Sequence, residues 1–163
     1  MCLGVQPVKT ILVVDDEQEL ADVAVYVLTR AGYEVHQAHE SYSALKILTE
    51  HPVDLLLTDV TMPGMSGLEL AEVIRALVPL AEIPILGVSS MPQDSLGFRI
   101  EVFDAFLQKP FYFVDLLEKV SDLVVFRELS KHPQYGLVAS TPSSSANEFP
   151  SAPVPVTRTS ESL

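Results

Sequence analysis

Five side chains able to do polar chemistry sit where apolar runs end: Asp15 and Asp16 after "ILVV", Asp59 after "LLLT", Ser89 in "PILGVSS" and Lys109 after "AFLQ". The stretch "DLLLTDVTMPGMSGLEL", Asp54 to Leu70, shows the contrast best. Leu55, Leu56 and Leu57 favour burial, whereas Asp59 does not, so the run delivers a carboxylate to the end of a buried strand. If the strands ending at Asp15, Asp16 and Asp59 are neighbours, three carboxylates share one pocket. Like charges that close repel and raise one another's pKa unless a cation intervenes. Mg²⁺ suits such a set, because it takes hard oxygen ligands, keeps several waters and also binds phosphate. A carboxylate beside Mg²⁺ and a lysine is a nucleophile toward phosphorus, giving an acyl phosphate. Lys109 and the metal would neutralise charge developing on the phosphoryl oxygens, and the Ser89 hydroxyl would donate to one of them.

That chemistry requires elements that bring the five residues to one edge. "TILVVDDEQ" reads as a strand buried on both faces. In "EQELADVAVYVLTRAG", Leu20, Val23, Ala24, Val27, Leu28 and Ala31 recur at helical spacing, and Gly32 is a natural stop. "YEVHQA" follows as a strand, "SYSALKILTEH" as a short amphipathic helix, "DLLLTD" as a strand and "LELAEVIRAL" as a helix. "IPILGVSS" reads as a strand with Pro84 at its start, where proline is tolerated, "DAFLQK" as a strand and "FVDLLEKVSDLVVFREL" as the closing helix. Solid apolar strands alternating with helices indicate a parallel sheet covered on both faces. Right-handed crossovers then give an α/β, doubly wound, five-stranded domain whose site lies at the carboxyl ends of the strands.

Composition bounds the rest. The chain has 163 residues, 48% hydrophobic and 20% charged, a globular balance. Its net charge is −12, of which −11 falls in residues 1–131, with 9 Lys/Arg against 20 Asp/Glu. An acidic body argues against binding nucleic acid directly and fits a cation or a basic partner. One cysteine, Cys2, allows no disulfide within the chain and fits a reducing compartment. The start "MCLGVQPVKT" lacks the apolar region of a secretory signal. No apolar run approaches the ~18–20 residues needed to span a membrane. The reading is a cytoplasmic protein with no membrane insertion: an N-terminal extension at 1–8, one domain at 9–131, and a tail at 132–163. The tail's Ser/Thr/Pro composition cannot offset its ordering entropy, so it is expected to be disordered. The four histidines, His36, His39, His51 and His132, have no metal-ligand spacing and read as surface or strand residues. Thr10, Ser41 and Ser66 read as turn or capping residues.

Together, "ILVVDDE", "LLLTDVTMPGMSGLEL", "PILGVSS" and "FLQKPF" resemble the receiver domains of two-component response regulators, over about residues 9 to 130. The resemblance implies the flavodoxin-like receiver fold, with Asp59 as phosphoacceptor and Asp15 and Asp16 as the acidic pair that holds Mg²⁺. It adds the backbone carbonyl of Thr61 as a metal ligand, Ser89 as the switch hydroxyl and Phe106 at the aromatic switch position. Lys109 is then joined to Pro110 by a cis bond. The implied partners are a sensor histidine kinase or phosphotransfer protein and an unknown downstream protein. On this reading the chain is a stand-alone signalling protein rather than an enzyme, catalysing only its own phosphotransfer and dephosphorylation.

Two departures from the family pattern carry expectations. Many receivers place a Gly-Ala pair before the fifth strand, where this chain has Val102 and Phe103. The stretch from Ser89 to Lys109 is short and contains Gly97, so "DSLGFRIEVF" is expected to form a short or shifted fourth helix. Other function classes fit less well. A haloacid-dehalogenase-like phosphatase needs a second Asp two residues after the nucleophile, where Thr61 stands. A dinucleotide enzyme needs G-x-G-x-x-G after the first strand, which is missing. A phosphate-independent receiver-like binding module would be expected to have lost an acid or the lysine.

Overall fold

The computed structural model describes residues 7–131. Five strands, β1 (Thr10–Val14), β2 (Glu34–Ala38), β3 (Leu55–Asp59), β4 (Ile85–Ser89) and β5 (Ala105–Gln108), form one parallel sheet in the order β2-β1-β3-β4-β5. Helices α1 (Gln18–Arg30), α2 (Ser41–Glu50), α3 (Gly67–Ala76) and α4 (Phe113–Lys131) cover it. This is the expected doubly wound α/β fold, and the order turns back between β1 and β3, where Asp15 and Asp59 stand. The Ser/Thr/Pro-rich stretch read as a tail lies outside the described residues, as do the first six residues of the extension.

The apolar runs are explained by burial on two faces. Leu12, Val14, Leu56 and Ile85 pack with Ala44 and Leu48 of α2 and with Leu70, Ala71 and Ile74 of α3. Their neighbours Ile11, Val13, Leu55, Leu57, Leu86 and Val88 point the other way, onto Leu28 of α1 and Leu116 and Val120 of α4. Alternate residues of a strand face opposite sides, so a strand sandwiched between helices must be apolar throughout.

Local signals succeeded where they were self-contained. Ser66 caps α3: its side chain accepts from the Glu69 amide while Glu69 takes the Ser66 amide, a capping box that also holds the Glu69 carboxyl below its usual pKa. Ser41 is no cap. It is buried at the first position of α2, and its hydroxyl donates to the Met65 carbonyl at 2.7 Å, tying α2 to the loop after β3. Thr10 opens β1 and is buried, its amide donating to Asp54. His36 and His51 stack with ring centroids 4.7 Å apart.

Between β4 and β5 there is no α-helix. Gln93–Val102 forms 3-10 turns broken at Gly97, whose φ of 57° and ψ of −146° interrupt any helix. The shortened fourth element expected from the sequence is therefore a broken 3-10 segment. Arg75 of α3 fastens its far end. The guanidinium donates to the carbonyls of Ala81, Ile83 and Val102 and to Asp104 at 2.6 Å, while Asp104 also accepts from the Ile85 amide. Arg75→Ala is expected to cost about 2–3 kcal/mol, the scale of hydrogen bonds that carry a charge. Urea unfolding would show a lower midpoint at unchanged slope; an unmoved midpoint would refute the clamp.

Candidate functional site

β1 and β3 are neighbours, so the ends of their buried runs bring Asp15 and Asp59 together. β5 ends one residue before Lys109, whose side chain reaches back across β4. Its Nζ lies 2.5 Å from Asp59 Oδ2, 3.3 Å from Asp15 Oδ2 and 3.9 Å from Glu17 Oε1. Backbone amides fix the other carboxylate oxygens: Thr61 donates to Asp59 Oδ1 at 2.7 Å, and Glu17 donates to Asp15 Oδ1 at 2.9 Å. The Lys109–Pro110 peptide is cis.

The electrostatics follow from burial. Asp15 is pushed above the usual carboxylate range, chiefly because burial disfavours its charge and further because Asp59 is near; the Glu17 amide and Lys109 oppose the shift without cancelling it. For Lys109 the largest single effect is burial, which lowers the pKa. The hydrogen bond to Asp59 and the charges of Asp15 and Asp59 together outweigh it and hold the ammonium above its usual value. One ammonium thus faces three carboxylates, those of Asp15, Glu17 and Asp59, whose oxygens lie within 4.8 Å of one another. The formal excess of two negative charges on hard oxygen donors fits a divalent, oxygen-seeking cation such as Mg²⁺.

A cavity of about 550 Å³ opens over this cluster, with Asp15, Asp59, Ser90 and Lys109 among its polar lining and Leu20, Val23 and Phe113 among its apolar lining. Leu20, Val23 and Phe113 are each more than 40% exposed, so the carboxylates are reached through an apolar entrance.

The model of the response regulator receiver domain matches residues 11–121. The chain belongs to this family. The receiver is 34% identical over 106 residues to the response regulator GtcR of Aneurinibacillus migulanus, covering 63% of this chain and 42% of that protein. It thus spans less than half the length of that relative. Among solved structures it resembles the chemotaxis protein CheY4 of Vibrio cholerae, at 27% identity and a TM-score of 0.68, over 71% of this chain and 98% of that one. It also resembles the response regulator TrrA of Thermotoga maritima, solved in complex with Mg²⁺ and BeF, at 34% identity and a TM-score of 0.65 over the same shares. The chain therefore carries a response regulator receiver domain over residues 11–121.

Within the receiver, the residues singled out from sequence are not all gathered in one place. Asp15, Asp59, Lys109 and Thr61 meet. Asp16 does not: it is exposed, and Glu17 takes the third place among the clustered carboxylates. Side chains alternate sides as the chain leaves β1, so Asp15 and Glu17 turn toward Lys109 and Asp16 turns away. The third acid of "DDE" was the available signal for Glu17, but it also reads as the start of α1. Ser89 is fully buried beside the site, accepting from the Met91 amide at 3.0 Å, while Lys109 donates its backbone amide to the Ser89 carbonyl. Ser90, not Ser89, lines the cavity. Phe106 is half-buried in the α2–α3 face of the core and meets Phe103 edge-on, with centroids 6.5 Å apart. His39, read as a surface residue, is exposed but places Nδ1 3.1 Å from the Asp15 carbonyl, bracing the loop after β1.

Proposed function

We propose that this receiver accepts a phosphoryl group on Asp59 in a Mg²⁺-dependent reaction and passes the signal to a protein partner by a change of conformation. The donor is a phosphohistidine of a sensor histidine kinase or phosphotransfer protein. The carrying observation is the fixing of both Asp59 oxygens, one by Lys109 and one by the Thr61 amide, at the floor of an open cavity. In the step, an Asp59 oxygen forms a bond to phosphorus as the phosphorus–nitrogen bond of the donor breaks, and the departing imidazole takes up a proton. Lys109 stays charged throughout and shifts from the Asp59 carboxylate toward the phosphoryl oxygens, where negative charge accumulates. Asp15, Asp59 and the Thr61 carbonyl would hold Mg²⁺, with Asp16 and Glu17 beside it. The metal supplies charge neutralisation on the transferring group. The apolar entrance formed by Leu20, Val23 and Phe113, set in an acidic surface, suits a basic, partly apolar donor face.

After transfer, Ser89 donates its hydroxyl to a phosphoryl oxygen and Phe106 responds, biasing the surface that a downstream protein reads. Residues 9–131 form the unit that carries this chemistry. A cytoplasmic setting suits a chain with a single cysteine, since that compartment is reducing. Among the described residues no helix is long and apolar enough to cross a membrane. The chain turns over no separate metabolite.

The test is intact-mass analysis of the full chain with Mg²⁺ and a small acyl-phosphate donor. A single labile phosphoryl group appears with Mg²⁺ and not with a chelator. No mass gain under either condition, or steady hydrolysis of a phosphomonoester, would defeat the reading.

A companion expectation concerns Asp15. Its carboxylate is buried against Asp59, so neutralising it relieves repulsion in the metal-free protein. Asp15→Asn should melt higher than the parent without Mg²⁺ and gain little when Mg²⁺ is added, whereas the parent gains with RT ln(1 + [L]/Kd). Equal Mg²⁺-induced shifts in the two proteins would rule out Asp15 as a ligand.

A further inference from the structure

Gly87 stands in the middle of β4, buried and paired with Phe106 across the sheet. No turn or positive φ calls for glycine there, and glycine inside a strand is destabilising relative to alanine. Space calls for it. A Cβ at Gly87 would lie 2.9, 3.0 and 3.1 Å from three atoms of the Phe103 ring. A glycine inside a strand often marks such a close approach. Phe103 is 8% exposed and caps the 3-10 segment Gln93–Val102, whose Leu96, Ile100 and Val102 pack on the same face of the core.

Ser89 lies two residues beyond Gly87, on the same face and about 6.6 Å along the strand. Phe106, directly opposite Gly87, shares that face. Sideways movement of Phe106 onto β4 leads over its register partner Gly87, where the Phe103 ring is seated.

We propose that Phe103, seated on Gly87, is a positioning residue that holds Phe106 out, so that phosphorylation moves the two rings as a pair and shifts the 3-10 segment with them. This rests on the reading of Asp59 as phosphoacceptor and Ser89 as its sensor. It makes Gln93–Val102 the surface whose shape reports phosphorylation.

The test is NMR of the full chain, uniformly labelled at nitrogen and carbon-labelled at Phe and Gly, before and after adding Mg²⁺ and beryllofluoride, an acyl-phosphate mimic. Both ring signals should shift together, cross-peaks from the Phe103 ring to Gly87 Hα should weaken, and the amides of 93–102 should move. A Phe106 shift with Phe103 and its Gly87 cross-peaks unchanged overturns the proposal, as does a response at the Thr61 amide with neither ring moving. Silence at Thr61 itself would instead refute the phosphoacceptor reading, and this proposal with it. Gly87→Ala, which crowds the ring from its seat, should move the Phe106 and 93–102 signals part-way along the same line without beryllofluoride. Loss of stability alone would not move them along that line. Shifts in an unrelated direction contradict the proposal, and the wild-type titration decides whether or not the variant folds.

Discussion

Asp59→Asn is expected to abolish phosphorylation by a small acyl-phosphate donor. The substitution keeps the shape of the side chain and the acceptor for the Thr61 amide. It removes the anionic oxygen that would attack phosphorus and the charge that draws Lys109 to within 2.5 Å. Loss of a nucleophile acts on the scale of at least roughly a thousandfold in rate, which here means no labile mass gain on the time scale of wild-type labelling. Mg²⁺ affinity should fall as well, since a charged ligand becomes neutral. Labelling at the wild-type rate, or stable labelling at a Ser, Thr or His, would show that another residue is the acceptor.

Gly67→Ala is expected to be the most damaging single-methyl addition near the site. A Cβ at Gly67 would lie 1.8 Å from the Asp59 carbonyl oxygen, and 2.8 Å from both the Asp59 carbonyl carbon and Thr58 Oγ1. The obstacle is backbone at the end of β3, not the tip of a flexible side chain. Gly67 is also pinned by its own amide, which donates to the Val60 carbonyl at 3.0 Å, and by the Ser66 cap that starts α3. Either α3 retreats from the sheet or the Asp59 peptide moves. Overpacking of this kind costs typically about 1–3 kcal/mol and occasionally more, and the upper end is expected. Because the displaced atoms belong to Asp59, labelling should slow even where the variant stays folded. Thermal melting and labelling rate, measured side by side, check this; wild-type values for both would mean that the close approach is not a constraint.

How far the sequence can be read depends on whether a feature is local. The five strands were legible because each is buried on two faces, which leaves an uninterrupted apolar run. The Ser66 cap was legible because Ser66 and Glu69 complete it between themselves. Asp59 and Lys109 were legible because both end such runs, and the strand order then brings them together. Other features depend on partners distant in the chain. Ser41 looked like a cap, but its hydroxyl is used by Met65, 24 residues away. The exchange of Asp16 for Glu17 reflects how the chain turns as it leaves β1, which composition does not encode. Arg75 carries no local sign of its role, because its carbonyl partners Ala81, Ile83 and Val102 lie in two separate segments beyond α3. The pairing of Gly87 with Phe103 is of the same kind. The sequence showed a departure at Phe103 and a glycine in a strand, and only the fold places one on the other.

Signalling by this receiver turns on Asp59 as the carrier of the phosphoryl group. The most direct measurement is borohydride reduction of full-length protein labelled with Mg²⁺ and an acyl-phosphate donor, followed by peptide mapping. Reduction converts an aspartyl phosphate to homoserine and marks the acceptor permanently. A single homoserine is expected, at position 59, in the peptide spanning Asp54 to Leu70, and none in protein treated without Mg²⁺. Homoserine at position 15 or 16, or a phosphoryl group that survives reduction on another residue, would contradict it.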